Sequence, residues 1–126
     1  MKLILVYLLF GISALSAQPN FSTVITAVKS GNMSIINQYL DANVDVTVGD
    51  KDGSYNKAQA TLVIRSFFTT NAPTQCSMVH SGAARDGASY YCIGNLSAGG
   101  NKFRIYIFFK KVGAAYLIQE MRFEED

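Results

Sequence analysis

Residues 102–110, KFRIYIFFK, alternate without a break. Phe103, Ile105, Ile107 and Phe109 fall on one side of an extended chain, and Arg104, Tyr106, Phe108 and Lys110 on the other. A helix would scatter these two sets around its axis, whereas a strand separates them cleanly, so this stretch is a β-strand with one buried face. A strand of this kind needs partners, and its flanks supply them. Apolar-rich runs at 74–82, 88–98 and 115–124 surround it, separated by ARDG, AGGN and KVGA. Each separator contains a glycine suited to a tight reversal, so the C-terminal half reads as a four-stranded antiparallel meander. The second face of KFRIYIFFK carries more aromatic surface than a purely solvated face needs, which marks it as a surface that something covers or binds.

The N-terminal half has a different period. Phe21, Val24, Ile25 and Val28 follow helical spacing, and Gly31 is a stop signal. Asn32 is a cap for a second short helix carrying Ile35, Ile36, Tyr39 and Leu40. Val44, Val46 and Val48 then alternate with polar residues as a short strand. GDKDGSYN reads as a turn-rich connection. Its acids fit a calcium loop poorly, because aligning Gly53 to the loop glycine puts Val48 and Gln59 at ligand positions. Asn56, with Gln59 three residues on, opens a third helix whose stripe is Ala60, Val63, Ile64, Phe67 and Phe68. Asn71-Ala72-Pro73 ends it. The expected fold is α+β: a curved four- to five-stranded antiparallel sheet with three helices packed on its concave face.

The first 17 residues, MKLILVYLLFGISALSA, stand apart from that pattern. One positive charge, an apolar run and small residues ending at Ala17 give the layout of a secretory signal peptide. The run is shorter than the ~20 apolar residues of a membrane span. The expected organisation is a signal peptide at 1–17 and a single domain at 18–126, with the mature chain periplasmic or extracellular and not inserted in a membrane. Without Lys2 the formal charge falls from +2 to +1. A near-neutral chain with only an ordinary basic strand edge (Lys102, Arg104, Lys110, Lys111) is not a nucleic-acid binder.

Cys76 and Cys92 lie on the two arms of one expected hairpin. A turn centred near Ala84 would set them opposite each other as a disulfide, and a slip of one or two residues would leave two small buried thiols. Two cysteines and one histidine without C-x-x-C spacing do not make a zinc site, and no metal or other cofactor is expected.

In order along the chain, AVKSGN (27–32), GSYNKAQA (53–60) followed by FF (67–68), HSG (80–82), YYCIGNL (90–96), FRIYI (103–107) and LIQEMRFE (117–124) resemble a bacterial secreted family, domain of unknown function 4783. That family lies in the nuclear transport factor 2-like superfamily of cone-shaped α+β domains. The resemblance implies the fold and an exported bacterial location, and no particular reaction. It puts Cys76 and Cys92 among ordinary core residues and so does not support the disulfide. The superfamily hosts isomerases, dehydratases, small-molecule binders and docking modules, so the fold alone does not choose between them.

Few residues are placed to act as an acid or base. Between Pro73 and Gln119 the single acidic residue is Asp86, in a turn, and Glu120 is the one mid-strand acid. His80, the only histidine, shares strand parity with Cys76 and Met78 and is expected to point inward, with Tyr90 on the next strand as a hydrogen-bond donor. It reads as a buried structural imidazole, a ligand contact or a general base. Tyr90, Tyr91, Tyr106 and Tyr116 read as ordinary sheet formers or as a pocket or interaction face. The expected function is a non-catalytic module binding a small apolar ligand or a protein, through the cone pocket or the open sheet face. Its candidate contacts are His80, Tyr90, Arg104, Tyr106 and Phe108. Two alternatives stay open: an isomerase- or dehydratase-like enzyme with His80 as base, and a homodimeric scaffold joined through the sheet.

Overall fold

The computed structural model describes residues 18–126. Three helices and six strands follow one another as α1 (Phe21–Ser30), α2 (Met33–Tyr39), β1 (Leu40–Val48), β2 (Lys51–Asn56), α3 (Lys57–Thr70), β3 (Pro73–Ala83), β4 (Ser89–Ala98), β5 (Asn101–Val112) and β6 (Ala115–Glu125). The signal-peptide expectation concerns residues outside this range. Among the described residues no helix is long and apolar enough to cross a membrane.

Each helix begins on an asparagine. The side chains of Asn20, Asn32 and Asn56 accept from the backbone N–H of Thr23, Ile35 and Gln59 at 3.2, 3.2 and 2.8 Å. These bonds satisfy donors that the first helical turn leaves open. α1 buries the expected stripe of Phe21, Val24, Ile25 and Val28. α3 buries Ala60, Ile64, Phe67 and Phe68 as expected, with Thr61 added and Val63 only half-buried. Leu40 opens β1 rather than closing α2.

The sheet corrects the expected architecture in two ways. It has six strands, in the order β2-β1-β6-β5-β4-β3, and it is mixed, because β1 runs parallel to β6. The sixth strand is β2, inside the segment expected to be a connection. After a turn at Gly49, whose φ of +65° suits glycine, residues 51–56 fold back along β1 with Val46 opposite Gly53 and Val44 opposite Tyr55. The meander β3 to β6 is antiparallel, as expected.

All three helices pack on one side of the sheet. That side is filled by side chains, with Ile105, Ile107, Phe109, Ile118, Met121 and Phe123 fully buried. Phe67 of α3 stacks on Phe123 at 4.3 Å between ring centroids, and Phe21 of α1 meets Phe109 edge-on at 5.5 Å. The other side of the sheet carries no helix.

Two irregularities in the ladder decide which residues reach that uncovered side. In β3, Met78 pairs with Gly94 and His80 with Ile93, so Val79 is an extra residue. In β6, Ile118 pairs with Phe109 and Glu120 with Phe108, so Gln119 is extra. Each bulge shifts strand parity by one. Ile118 and Met121 therefore both point into the core, and Glu120 points out.

Candidate functional site on the open face of the sheet

The register aligns two rows of residues across the uncovered side, one residue from each strand. The first runs His80–Ile93–Tyr106–Arg122–Thr47–Asp52. The second runs Gly82–Tyr91–Phe108–Glu120–Asp45–Ser54. Aromatic residues gather over β4 and β5, and ionic and hydroxyl groups over β6, β1 and β2. Arg104 stands beside the first row, opposite Glu124.

Close contacts order this face. His80 Nε2 lies 2.8 Å from the Tyr91 hydroxyl. The Tyr91 ring leans across Gly82, where a Cβ would come within 2.9 Å of the hydroxyl oxygen and 3.1 Å of Cε1 and Cζ. Tyr91 and Tyr106 lie 6.2 Å apart between centroids with planes within 22°. Arg122 reaches Glu124 at 3.1 Å and Glu120 at 3.6 Å. The hydroxyl of Ser54 donates to Asp45 at 2.7 Å, and that of Thr47 to Asp52 at 2.8 Å. Partial burial, and secondarily the charge of Glu120, push the Tyr106 phenol above its usual pKa. Tyr106 is thus a neutral donor and ring surface at ordinary pH.

Two depressions indent the face. One of about 260 Å³ lies between Ile93, Arg104, Tyr106, Glu120, Arg122 and Glu124. The other, about 470 Å³, is polar and lies over Asp45, Thr47, Asp52, Ser54 and Glu120. A third depression, about 420 Å³ and apolar, lies elsewhere, between Val48 and α3 at Leu62, Val63 and Phe67.

The structure brings Arg104, Tyr106 and Phe108 together on one face, as the alternation in β5 requires. It corrects the placement of His80, which is exposed on the open face and not turned into the core with Cys76. It also corrects the partner: Tyr91, not Tyr90, bonds to His80. Tyr90 lies on the helix side, against Phe21 and Tyr116. Parity counting cannot detect the bulge at Val79, and that bulge alone reverses the imidazole. Tyr91, Glu120 and Arg122 complete the face; Tyr91 follows from the unbroken register of β4 with β5, and Glu120 and Arg122 from the bulge at Gln119.

The cross-strand pairing of the cysteines is corrected as well. Cys76 stands opposite Leu96 and Cys92 opposite Ser81, and both thiols are free and buried. Cys92 lies four positions along β4 from Leu96, the residue opposite Cys76, an offset of about 13 Å along the strand and well beyond the ~4.4–6.8 Å of a disulfide. Burial pushes the thiols up to about 11 for Cys76 and about 12 for Cys92. Among the described residues, no Asp, Glu or His is buried, and no three metal-ligating side chains converge.

The profile of a family described as a domain of unknown function (DUF4783) matches residues 21–124. The chain belongs to the DUF4783 family. A crystal structure of a DUF4783 protein from Bacteroides uniformis is similar at 31% identity and a TM-score of 0.78, covering 83% of this chain and 95% of that one. One from Bacteroides fragilis gives 30% identity and a TM-score of 0.78, covering 87% and 100%. An NTF2-like protein from Cytophaga hutchinsonii shares the fold at 10% identity and a TM-score of 0.63, covering 84% and 92%. No curated protein matches the chain. For DUF4783 these likenesses establish an α+β, NTF2-like architecture.

Proposed function

We propose that this DUF4783 protein is an exported, non-catalytic binding module that works through the open face of its sheet. The observation that carries the reading is the pair of residue rows. Tyr91, Tyr106 and Phe108 are only half-buried, no helix covers them, and ordered ionic groups stand beside them. Half-exposed aromatics next to oriented polar groups are the composition of a recognition surface. The side facing the helices is filled by apolar packing, which leaves the open face as the better candidate. Export rests on the leader-like residues 1–17, and N-terminal sequencing of the mature protein should begin near Gln18.

The test is photo-crosslinking in the native host. A benzophenone side chain replaces Phe108 on the face or, as a control, Leu62 on α3. Adducts formed from position 108 and not from position 62 support the reading. No adduct at 108, or the same adducts from both positions, overturns it.

A second reading is a homodimer through the same face, and the charge layout favours it. Carboxylates gather on β1 and β2 (Asp45, Asp52) and cations on β5 (Lys102, Arg104, Lys110). A two-fold axis along the strands sets one group over the other. In that case the adduct from position 108 is the chain joined to itself.

A further inference from the structure

We infer that the Tyr91–Tyr106 surface and the depression beside it bind the neutral sugar rings of a polysaccharide. This rests on the open face being a binding surface, and it names the class of ligand.

The rings are the first reason. Tyr91 leans across the bare backbone of Gly82, filling the space that a side chain there would need. Tyr106, on the next strand, lies nearly parallel to it at 6.2 Å. Together they set two half-buried, nearly parallel rings side by side on the uncovered face. The C–H side of a sugar ring is apolar and packs on such a surface, while its hydroxyls project sideways.

The surroundings of Tyr106 are the second reason. The depression of about 260 Å³ has Ile93 and Tyr106 as its apolar part and Arg104, Glu120, Arg122 and Glu124 as its polar part. Carboxylates and guanidinium groups are planar and two-pronged, which suits pairs of adjacent hydroxyls. Arg122 stands 3.1 Å from Glu124 and 3.6 Å from Glu120, which gathers three of these groups at one edge of the depression.

Charge is the third. On this face Asp45, Asp52, Glu120 and Glu124 offset Lys102, Arg104, Lys110 and Arg122, four against four. With neither sign in excess over the face as a whole, a long polyanion or polycation finds no matching track there, and a neutral chain meets no such penalty. Shape is the fourth. Six strands at a spacing of about 4.8 Å make each row roughly 24 Å long, open along its length. An enclosed pocket suits a small molecule, and an open track suits a chain.

The experiment is native-gel affinity electrophoresis of residues 18–126 in soluble xyloglucan, galactomannan, mixed-linkage β-glucan or dextran, with polygalacturonate as an anionic control. At least one neutral polymer should retard the protein. Tyr91→Ala and Tyr106→Ala should each weaken that binding tenfold or more by calorimetry. Tyr106→Phe, which keeps the ring, should bind more tightly than Tyr106→Ala, and Leu62→Ala, away from the face, should bind within about twofold of the parent. Thermal melts confirm that all four variants fold. The inference is overturned if no neutral polymer retards the protein, if only polygalacturonate does, or if retardation survives both alanine substitutions. Crosslinking from position 108 to a protein or to a second copy, with no retardation in any glycan, overturns this inference and leaves the binding-face reading standing.

Discussion

Asp86 anchors the reversal between β3 and β4 with both of its carboxylate oxygens. One accepts from the backbone N–H groups of Ala88 and Ser89, each at 2.9 Å, and the other from the Ser89 hydroxyl at 2.8 Å. These bonds favour the charged form, the Ala88 N–H most, and hold the carboxyl below its usual range. A lowered folded-state pKa contributes stability that is fully present above the usual carboxylate range and is lost as pH falls through the lowered value. Asp86→Ala should therefore melt below the parent at neutral pH, and the gap should narrow as pH falls below the usual carboxylate range. A melting series across that range checks it, and a gap independent of pH contradicts the anchoring role. ARDG was legible as a turn because Asp and Gly are turn residues. His80, a few residues earlier, was not legible. Its direction depends on whether one residue upstream is paired, and no property of Val79 announces that it is skipped.

At the scale of elements, the joint between α1 and α2 shows how local chemistry becomes geometry. Gly31 adopts φ +65°, and the Asn32 N–H reaches back to the Ala27 carbonyl at 2.8 Å, which closes α1. The same Asn32 caps α2 through its side chain. A Cβ at Gly31 would also sit 3.2 Å from Pro73 Cγ at the start of β3. Gly31→Ala should cost about 1–2 kcal/mol, the range for left-handed backbone at a non-glycine residue. Urea unfolding against the exposed control Lys29→Ala measures it, and equal midpoints would contradict the geometry. Such signals are local, so the helix starts could be read directly, while the end of α2, where Leu40 passes into β1, could not. β2 could not, because Lys51, Asp52 and Gly53 are poor strand formers. It becomes a strand because β1 offers a ladder, and because its outward Asp52 and Ser54 find partners in Thr47 and Asp45. The parallel pairing of β1 with β6 joins residues some 75 positions apart, and periodicity carries no information about such a partner.

That long-range pairing predicts that residues 18–126 unfold as one cooperative unit. β1, β2 and the helix α3 meet the C-terminal meander mainly along β6, and Phe123 sits at the junction. It pairs with Val48 on β1 and Ile105 on β5, stacks on Phe67 at 4.3 Å and meets Phe68 edge-on at 5.9 Å. It is fully buried. Removing the ring takes away its transfer free energy and leaves a cavity that these neighbours fill only in part. Phe123→Ala should therefore cost about 3–5 kcal/mol. For a domain of this size, with a total stability of about 5–15 kcal/mol, that is a large fraction. The open face and the core are separate layers of the same strands, so the two can be tested independently. Leu62→Ala, at a side chain 61% exposed on the outer side of α3, should change stability by less than about 0.5 kcal/mol. In urea, Phe123→Ala should lower the midpoint and keep the slope of the parent, since the same surface is exposed when one unit unfolds. Two separate transitions in that variant would show instead that β1, β2 and α3 come away from the meander on their own, and that the junction at Phe123 does not unite them.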